Sequence, residues 1–338
     1  MSKEIKVYTS YKDINCDSWS DLVQLSSVAS WFQTPEAYCF FDSLTFLDAF
    51  CVAVETDGVL KGVVVGYIQK DGGKLKQFLS RRAIINGGPL LAYDITDEEL
   101  VALLGAVKNH LKRKAIYIET RNFNDYSEWR PIFESNGFVF QPHYDVVVET
   151  ASVESVNKKL DRNRKRNLKK AIDNGLIIES EPNDSDIEAF YAQLQKLYST
   201  KVKVPLYPIE FFIKLAKQNS SRFFLAKNNE GLIIGGLVCV VLTSKSVYAW
   251  YACGEDAQYK NLFPSVMVNY AGICYAAENN IPKFDFMGAG KPDDGGYGVR
   301  DFKLKFGGEL VEYGRYDYIC NRLLYNIGKL GVKLLKKL

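Results

Sequence analysis

Phe223-Phe-Leu-Ala-Lys-Asn-Asn-Glu-Gly-Leu-Ile-Ile-Gly-Gly-Leu-Val-Cys-Val-Val-Leu242 reads as a strand, a glycine-bearing turn and a second strand with glycines early in its course. Apolar and β-branched residues crowd both arms, and the polar run between them supplies the turn. An earlier stretch, Phe50-Cys-Val-Ala-Val-Glu-Thr-Asp-Gly-Val-Leu-Lys-Gly-Val-Val-Val-Gly-Tyr-Ile68, has the same plan around Asp57-Gly58. That dipeptide tolerates positive φ and so marks a hairpin. The elements downstream of the two hairpins also match. The first leads through a strand around Leu75 to Leu79 and the run Ile84-Ile-Asn-Gly-Gly-Pro-Leu-Leu91 to a helix. Thr96 and Glu99 form the capping box of that helix, which runs to about Lys112, and a buried strand follows over Ala115 to Thr120. The second hairpin leads to a strand over Val247 to Tyr251, a helix from Pro264 to Asn279 and a strand over Lys283 to Met287. A repeat of ~100 residues or more indicates duplicated domains, since solenoid periods are ~20–50. The expected class is α/β (α+β), with two tandem domains that each carry a mixed, mostly antiparallel sheet flanked by helices.

The remaining elements are short helices over Trp19 to Val28, Pro35 to Phe41 and Glu128 to Asn136, and a strand over Val146 to Glu149. A length of 338 residues suits two cores of ~150 residues each. The net charge of +3 is too small to imply nucleic acid by itself, and DNA is not an expected partner. Seven scattered cysteines without a C-x-x-C pair suggest reduced core thiols in a cytoplasmic protein. Residues 1–13 contain no apolar core of a signal peptide. The longest apolar run, Leu232 to Leu242, falls well short of the ~20 residues that a spanning helix needs.

Two histidines, His110 and His143, argue against a histidine-rich metal centre or a histidine relay, so no metal is expected. The chain has no G-x-S-x-G, no H-E-x-x-H and no dinucleotide fingerprint. Gly288-Ala-Gly290-Lys291 imitates a phosphate loop, but Pro292 stands where Ser or Thr belongs and Asp285 where the first glycine belongs. Lys, Arg, Asp and Tyr are left as the chemical groups.

Those residue types concentrate in Phe284-Asp-Phe-Met-Gly-Ala-Gly290 and in Tyr297-Gly-Val-Arg-Asp-Phe-Lys-Leu-Lys-Phe-Gly-Gly308. The reading is a buried strand ending in glycines, a mobile crossing over Gly288 to Gly298, and a basic-aromatic strand. Open α/β sheets place chemistry where strands end. Alternation along that last strand puts Lys303 and Lys305 on one face, and nothing in the spacing separates them. Asp285 at the strand end has two readings, a turn cap or an acceptor of a proton.

Asn157 to Ile172 contains eight basic residues and one acidic residue, and Asn174-Gly175 ends it as a helix. At 100° per residue, Lys158, Arg162, Lys165, Arg166, Lys169 and Lys170 share a broad outer face. Arg164 and Asn167 fall among Leu160, Leu168 and Ala171, and so point inward. A buried cation needs a partner, and a phosphate or carboxylate of a substrate would serve. Asn321 to Leu338 is a basic amphipathic helix, read either as packed on the last domain or as touching an anionic membrane.

Further motifs carry a resemblance. Tyr248-Ala-Trp-Tyr-Ala-Cys-Gly254, Tyr259-Lys-Asn-Leu-Phe-Pro264, Ala276-Ala-Glu-Asn-Asn-Ile281, Phe284-Asp-Phe-Met-Gly288 and Phe302-Lys-Leu-Lys-Phe-Gly307 come one after another in an order and spacing similar to the FemABX-like branch of the GNAT superfamily. Arg166-Asn-Leu-Lys-Lys-Ala171 with Asn174-Gly175 resembles the opening of that family's second domain. A weaker likeness over residues 30–150 rests on Trp31-Phe-Gln-Thr-Pro35 and Asn86-Gly-Gly-Pro-Leu90.

The resemblance implies two GNAT-like domains, 1–150 and 151–318, the second opening on the basic helix 157–174, with a terminal helix over 319–338. It implies aminoacyl transfer to an amine of a peptidoglycan precursor peptide, nucleotide- or lipid-linked, at the inner face of the membrane. Lys303 then stabilises the oxyanion of the attacked ester, with Phe302 beside it and Asp285 as the candidate proton acceptor. The implied substrate-binding residues are Arg162, Arg164, Arg166, Asn167, Tyr248, Tyr251, Tyr259, Arg300 and Lys305. No cofactor is implied, and aminoacyl-tRNA is the co-substrate. The alternative is an acyl-CoA-dependent N-acyltransferase acting on an amino sugar or other amine. The long helical arm of several aminoacyl-tRNA users is missing, yet Gln258 to Pro264 also lacks the glycines of a coenzyme A loop. The donor stays open.

Overall fold

The computed structural model describes residues 4–69, 80–202, 204–295 and 298–335, with side chains as far as Lys329 in the last segment. The strand expected around Leu75 to Leu79 and the residue Tyr297 lie outside the described residues. The chain forms two compact units, Met1–His143 with Glu312–Leu338, and Tyr144–Val311.

The first unit holds strands β1 (Ile5–Tyr8), β2 (Leu47–Thr56), β3 (Val59–Gln69), β4 (Arg82–Gly87), β5 (Leu90–Leu91), β6 (Tyr117–Asn122), β7 (Val139–Gln141) and β15 (Arg315–Ile319). Their order is β1-β2-β3-β4-β6-β15-β7, with β5 beside β3. Asp57 and Gly58 both take positive φ, 51° and 81°, and close the β2–β3 hairpin as the dipeptide predicts. The Thr96 and Glu99 capping box is present, and the helix Asp97–Leu111 carries the chain across to β6, parallel to β4. Leu100, Leu103, Leu104, Val107 and Leu111 are buried along its inner face, each leucine contributing about 1.5–3 kcal/mol by leaving water.

The second unit holds β8 (Tyr144–Glu149), β9 (Ile177–Glu179), β10 (Ser221–Lys227), β11 (Ile233–Leu242), β12 (Ser246–Gly254), β13 (Lys283–Asp285) and β14 (Glu309–Glu312), in the order β14-β8-β13-β12-β11-β10-β9. Read from β9, this sheet reproduces the first. A hairpin and a third antiparallel strand are followed by a helix, Pro264–Glu278, that crosses to the parallel strand β13. An antiparallel strand then follows in each sheet, β15 beside β6 and β8 beside β13. The parallel register agrees as well, with Ile84 opposite Glu119 and Tyr248 opposite Asp285. The duplication read from the hairpins therefore extends to strand order.

The structure departs from the sequence reading in several places. The units do not divide at 150 and 318. β8 pairs with β13 and belongs to the second sheet, and β15 returns to pair with β6 in the first. The helix expected over 157–174 is two, Val153–Lys159 and Arg162–Asp173. Leu160 breaks it with an extended ψ of 137°, and the Asp161 carboxylate restarts it by accepting from the Asn163 amide. Cys51, Cys239 and Cys253 are buried as expected, but Cys16 and Cys39 are exposed.

The terminal helix Arg322–Leu335 belongs to the first unit rather than the second, with the Tyr325 ring 5.5 Å from that of Tyr117. Leu323 and Ile327 stay exposed on it. The basic and apolar positions expected from residue 330 onward lie outside the described side chains. No helix among the described residues is long and apolar enough to cross a membrane.

Candidate active site

The expected basic-aromatic strand is a helix, Gly298–Leu304. Phe302 and Phe306 are four residues apart, and their rings meet at 5.4 Å. A helical path brings residues four apart into contact, whereas a strand would hold them about 13 Å apart along one face. The change separates the two lysines that alternation placed together, since residues two apart on a helix diverge by ~200°. Lys305 is exposed, and its backbone carbonyl accepts from the Asp161 amide at 3.0 Å. The Lys303 ammonium turns inward and donates to the Phe286 carbonyl at 2.7 Å and to the Gly288 carbonyl at 2.5 Å.

Those carbonyls are presented by the end of β13, where the backbone of Met287 and Gly288 takes positive φ, 54° and 99°. Positive φ at a non-glycine residue such as Met287 is uncommon and needs local support. Two buried carboxyls supply it. Asp285 accepts from the Met287 amide at 2.7 Å, and Asp145 accepts from the Gly288 amide at 2.8 Å and the Val146 amide at 2.7 Å. Asp285 is thus the turn cap that one sequence reading assigned it. The two carboxyls lie on neighbouring strands and interact with each other and with the Lys303 charge.

Burial and the neighbouring Asp145 charge push the Asp285 carboxyl well above the ordinary value. Burial raises Asp145 too, with the Lys303 charge and the Gly288 amide pulling it back. Burial lowers Lys303, and the two carboxyls hold it up. Asp145 is the residue that sequence reasoning missed. Its signal was a lone acid beside the apolar run Val146-Val-Val148, read as lying just outside the strand.

Arg164 is buried, as its helical position predicted. Its guanidinium stacks 4.2 Å from the Phe302 ring centroid and 5.0 Å from that of Phe306, and it donates to the Phe302 carbonyl at 3.1 Å. Its Nε is buried without a partner. Burial lowers the Arg164 guanidinium, and Asp161 and Asp256 offset part of that effect. Arg300, on the Lys303 helix, donates to the Ala289 carbonyl at 2.9 Å and to the Lys291 carbonyl at 2.5 Å.

The structure therefore brings Lys303, Asp285, Phe302, Arg164 and Arg300 together, with Tyr248 buried beside Asp285 in the parallel register. Tyr251 is buried further along β12, its ring 5.0 Å from that of Phe212. Tyr259 and Asn167 are half-buried, whereas Arg162 and Arg166 are exposed on the outer face of their helix.

The start of the helix Pro264–Glu278 bears on the donor. Asp256 accepts there from the Ser265 amide at 3.3 Å and from the Ser265 hydroxyl. A carboxylate of the chain itself occupies the positive end of this helix, where a pyrophosphate would otherwise be favoured. Among the described residues no group of three or more His, Cys, Asp and Glu is arranged to hold a metal ion.

Comparison with known proteins agrees with this architecture. The model of the FemAB family matches residues 213–333, a span that includes Asp285, Phe302 and Lys303. Lipid II:glycine glycyltransferase of Staphylococcus haemolyticus is 28% identical over 210 residues, which is 57% of this chain and 47% of that protein. The chain thus spans about half the length of this curated relative. The crystal structure of FemX superposes with a TM-score of 0.72 at 17% identity, covering 95% of this chain and 99% of the other. A tandem GNAT protein from the clavulanic acid biosynthesis pathway superposes with a TM-score of 0.61 at 9% identity, covering 94% and 99%. The family match is thus confined to residues 213–333, and the doubled sheet and these superpositions give the chain the fold of FemX and of a tandem GNAT protein.

Proposed function

We propose that the chain transfers an aminoacyl group from an activated ester to an amine of a peptidoglycan precursor peptide. The observation that carries this reading is the inward-turned Lys303 ammonium, which donates to two backbone carbonyls and faces the charge of two buried carboxyls within the span that matches the FemAB family. In such a transfer the amine attacks the ester carbonyl, the C–N bond forms and the C–O bond breaks. The proton lost by the amine goes to the departing ribose oxygen, which leaves as the hydroxyl. Negative charge develops on the carbonyl oxygen, and a preorganised cation there lowers the barrier.

The similarity to a lipid II glycyltransferase supports a lipid-linked precursor as acceptor. The exposed Leu323 and Ile327 on the basic terminal helix support peripheral contact with the inner membrane face. For the donor, the Asp256 carboxylate at the start of Pro264–Glu278 and the missing amide of Pro264 disfavour coenzyme A in the second unit and so favour aminoacyl-tRNA. Purified protein is to be incubated with a panel of charged tRNAs and a lipid-linked muropeptide precursor, with acetyl-CoA in parallel. Mass addition of one amino acid to the precursor is expected. Addition of an acetyl group instead would replace this reading with an acyl-CoA-dependent N-acyltransferase.

A further inference from the structure

We infer that Asp145 and Asp285 act as a pair of positioning residues that share one proton, hold the turn at Met287 and Gly288, and supply a single negative charge to the Lys303 ammonium. The inference rests on the aminoacyl-transfer reading for its catalytic meaning, but its geometry is independent of that reading.

Asp145 lies on β8 and Asp285 on β13, which are neighbouring antiparallel strands. Val147 is directly opposite Asp285, so Asp145, two residues earlier, reaches the same face of the sheet on the diagonal. Both residues are almost fully enclosed, at 4% and 2% exposure. Two carboxyls this enclosed on one face of a sheet do not both ionise, because each charge raises the cost of the other. A carboxyl that donates to a carboxylate resolves this and leaves one negative charge. Against it stands one positive charge, Lys303. The other cations nearby, Arg300 and Arg164, are turned to the backbone carbonyls of Ala289, Lys291 and Phe302. A single shared proton thus leaves one negative charge to balance that of Lys303.

The pair also acts through the backbone. Asp285 holds the Met287 amide and Asp145 holds the Gly288 amide, so each carboxyl fixes one residue of the positive-φ turn. That turn aims the Phe286 and Gly288 carbonyls at the ammonium. An ammonium has three donors. Two are committed to these carbonyls, and the third is left for the developing oxyanion. Asp285 is the protonated member, since Asp145 already accepts two amides and is the better carboxylate.

The two carboxyls are therefore not equivalent. Asp285→Asn keeps an acceptor for Met287 and a donor for Asp145, and leaves the charge in place. The double substitution Asp145→Asn with Asp285→Asn keeps the shapes and removes the charge. The test tracks the titration of Lys303 by NMR of the 13C-lysine-labelled full chain, its signal assigned by loss in Lys303→Met. The Lys303 midpoint is expected to fall by about two pH units in the double variant and by under about half a unit in Asp285→Asn. Under turnover the double variant is expected to lose roughly 100-fold in kcat with acceptor KM within about twofold, and the basic limb of its pH profile is expected to move down. An unchanged midpoint in the double variant, folded by circular dichroism, would overturn the inference. So would a fall of more than about one unit in Asp285→Asn, which decides the matter if the double variant does not fold. The NMR readout needs no substrate. A wild-type protein without transfer activity would therefore defeat the functional reading and leave the midpoints to judge the pair.

Discussion

Lys303 reaches back to Phe286, placing its ammonium 2.7 Å from a carbonyl at the end of the strand that precedes its own helix. Lys305, two residues on, is exposed. Lys303→Met is accordingly expected to lower kcat by roughly 10²–10³-fold with a small change in KM, as for loss of a charge that acts in the transition state. Lys305→Met is expected to stay within about threefold of wild type, as ordinary surface substitutions do. Steady-state kinetics on both variants make the check. Equal loss in kcat and rise in KM for Lys303→Met would assign the lysine to substrate binding.

The pH profile of the wild type carries a second expectation. Burial depresses Lys303 below the ordinary lysine value, and the two carboxyls oppose that shift. The protonated form is the active one, so kcat is expected to be level below the folded-state value and to fall as pH rises through it. The basic limb therefore belongs below the ordinary lysine value of ~10.4. A limb at or above that value would mean that Lys303 is not the group being titrated.

Arg164 is expected to resist conservative replacement. Its flat guanidinium covers Phe302 and Phe306 and holds the Phe302 carbonyl, so it braces the helix that carries Lys303. Lysine keeps the charge but cannot stack a plane on two rings. Arg164→Lys and Arg164→Ala should each cost about 1–3 kcal/mol, read as a lower urea midpoint at unchanged slope. If Arg164→Lys matched wild type in both stability and kcat, the bracing role would be lost.

Much of this architecture was legible because hairpins, capping boxes and apolar runs are local signals. Asp57-Gly58 closed its hairpin, and Thr96 opened its helix, where the sequence placed them. The failures were non-local. β8 and β15 are ordinary short strands whose sheet is decided by distant partners, Val148 by Phe284 and Tyr316 by Thr120. The Phe302–Phe306 segment misled because alternating basic and apolar residues imitate a strand, whereas its helical path is held by distant partners such as Arg164 and Phe286. Asp145 was invisible for the same reason. Its role exists only once β8 lies beside β13.

The duplication supplies a control for the acidic pair. Glu119 holds in the first sheet the register position that Asp285 holds in the second, but its neighbours differ. Arg121 donates to it at 2.5 Å, and Arg315 approaches at 3.3 Å. Burial raises this carboxyl, and the two arginines more than reverse that, down to about 2. An acid held below its unfolded value stabilises the fold fully above that unfolded value, near 4.5, and the contribution drains away as pH falls towards 2. Glu119→Gln should therefore lower stability at neutral pH by about 2–3 kcal/mol, after allowance for the partly exposed arginines. The difference from wild type should shrink steadily between about pH 4.5 and pH 2. Urea unfolding across that range reads the effect directly. A difference that stayed constant with pH would mean that the Glu119 contribution is packing and not charge.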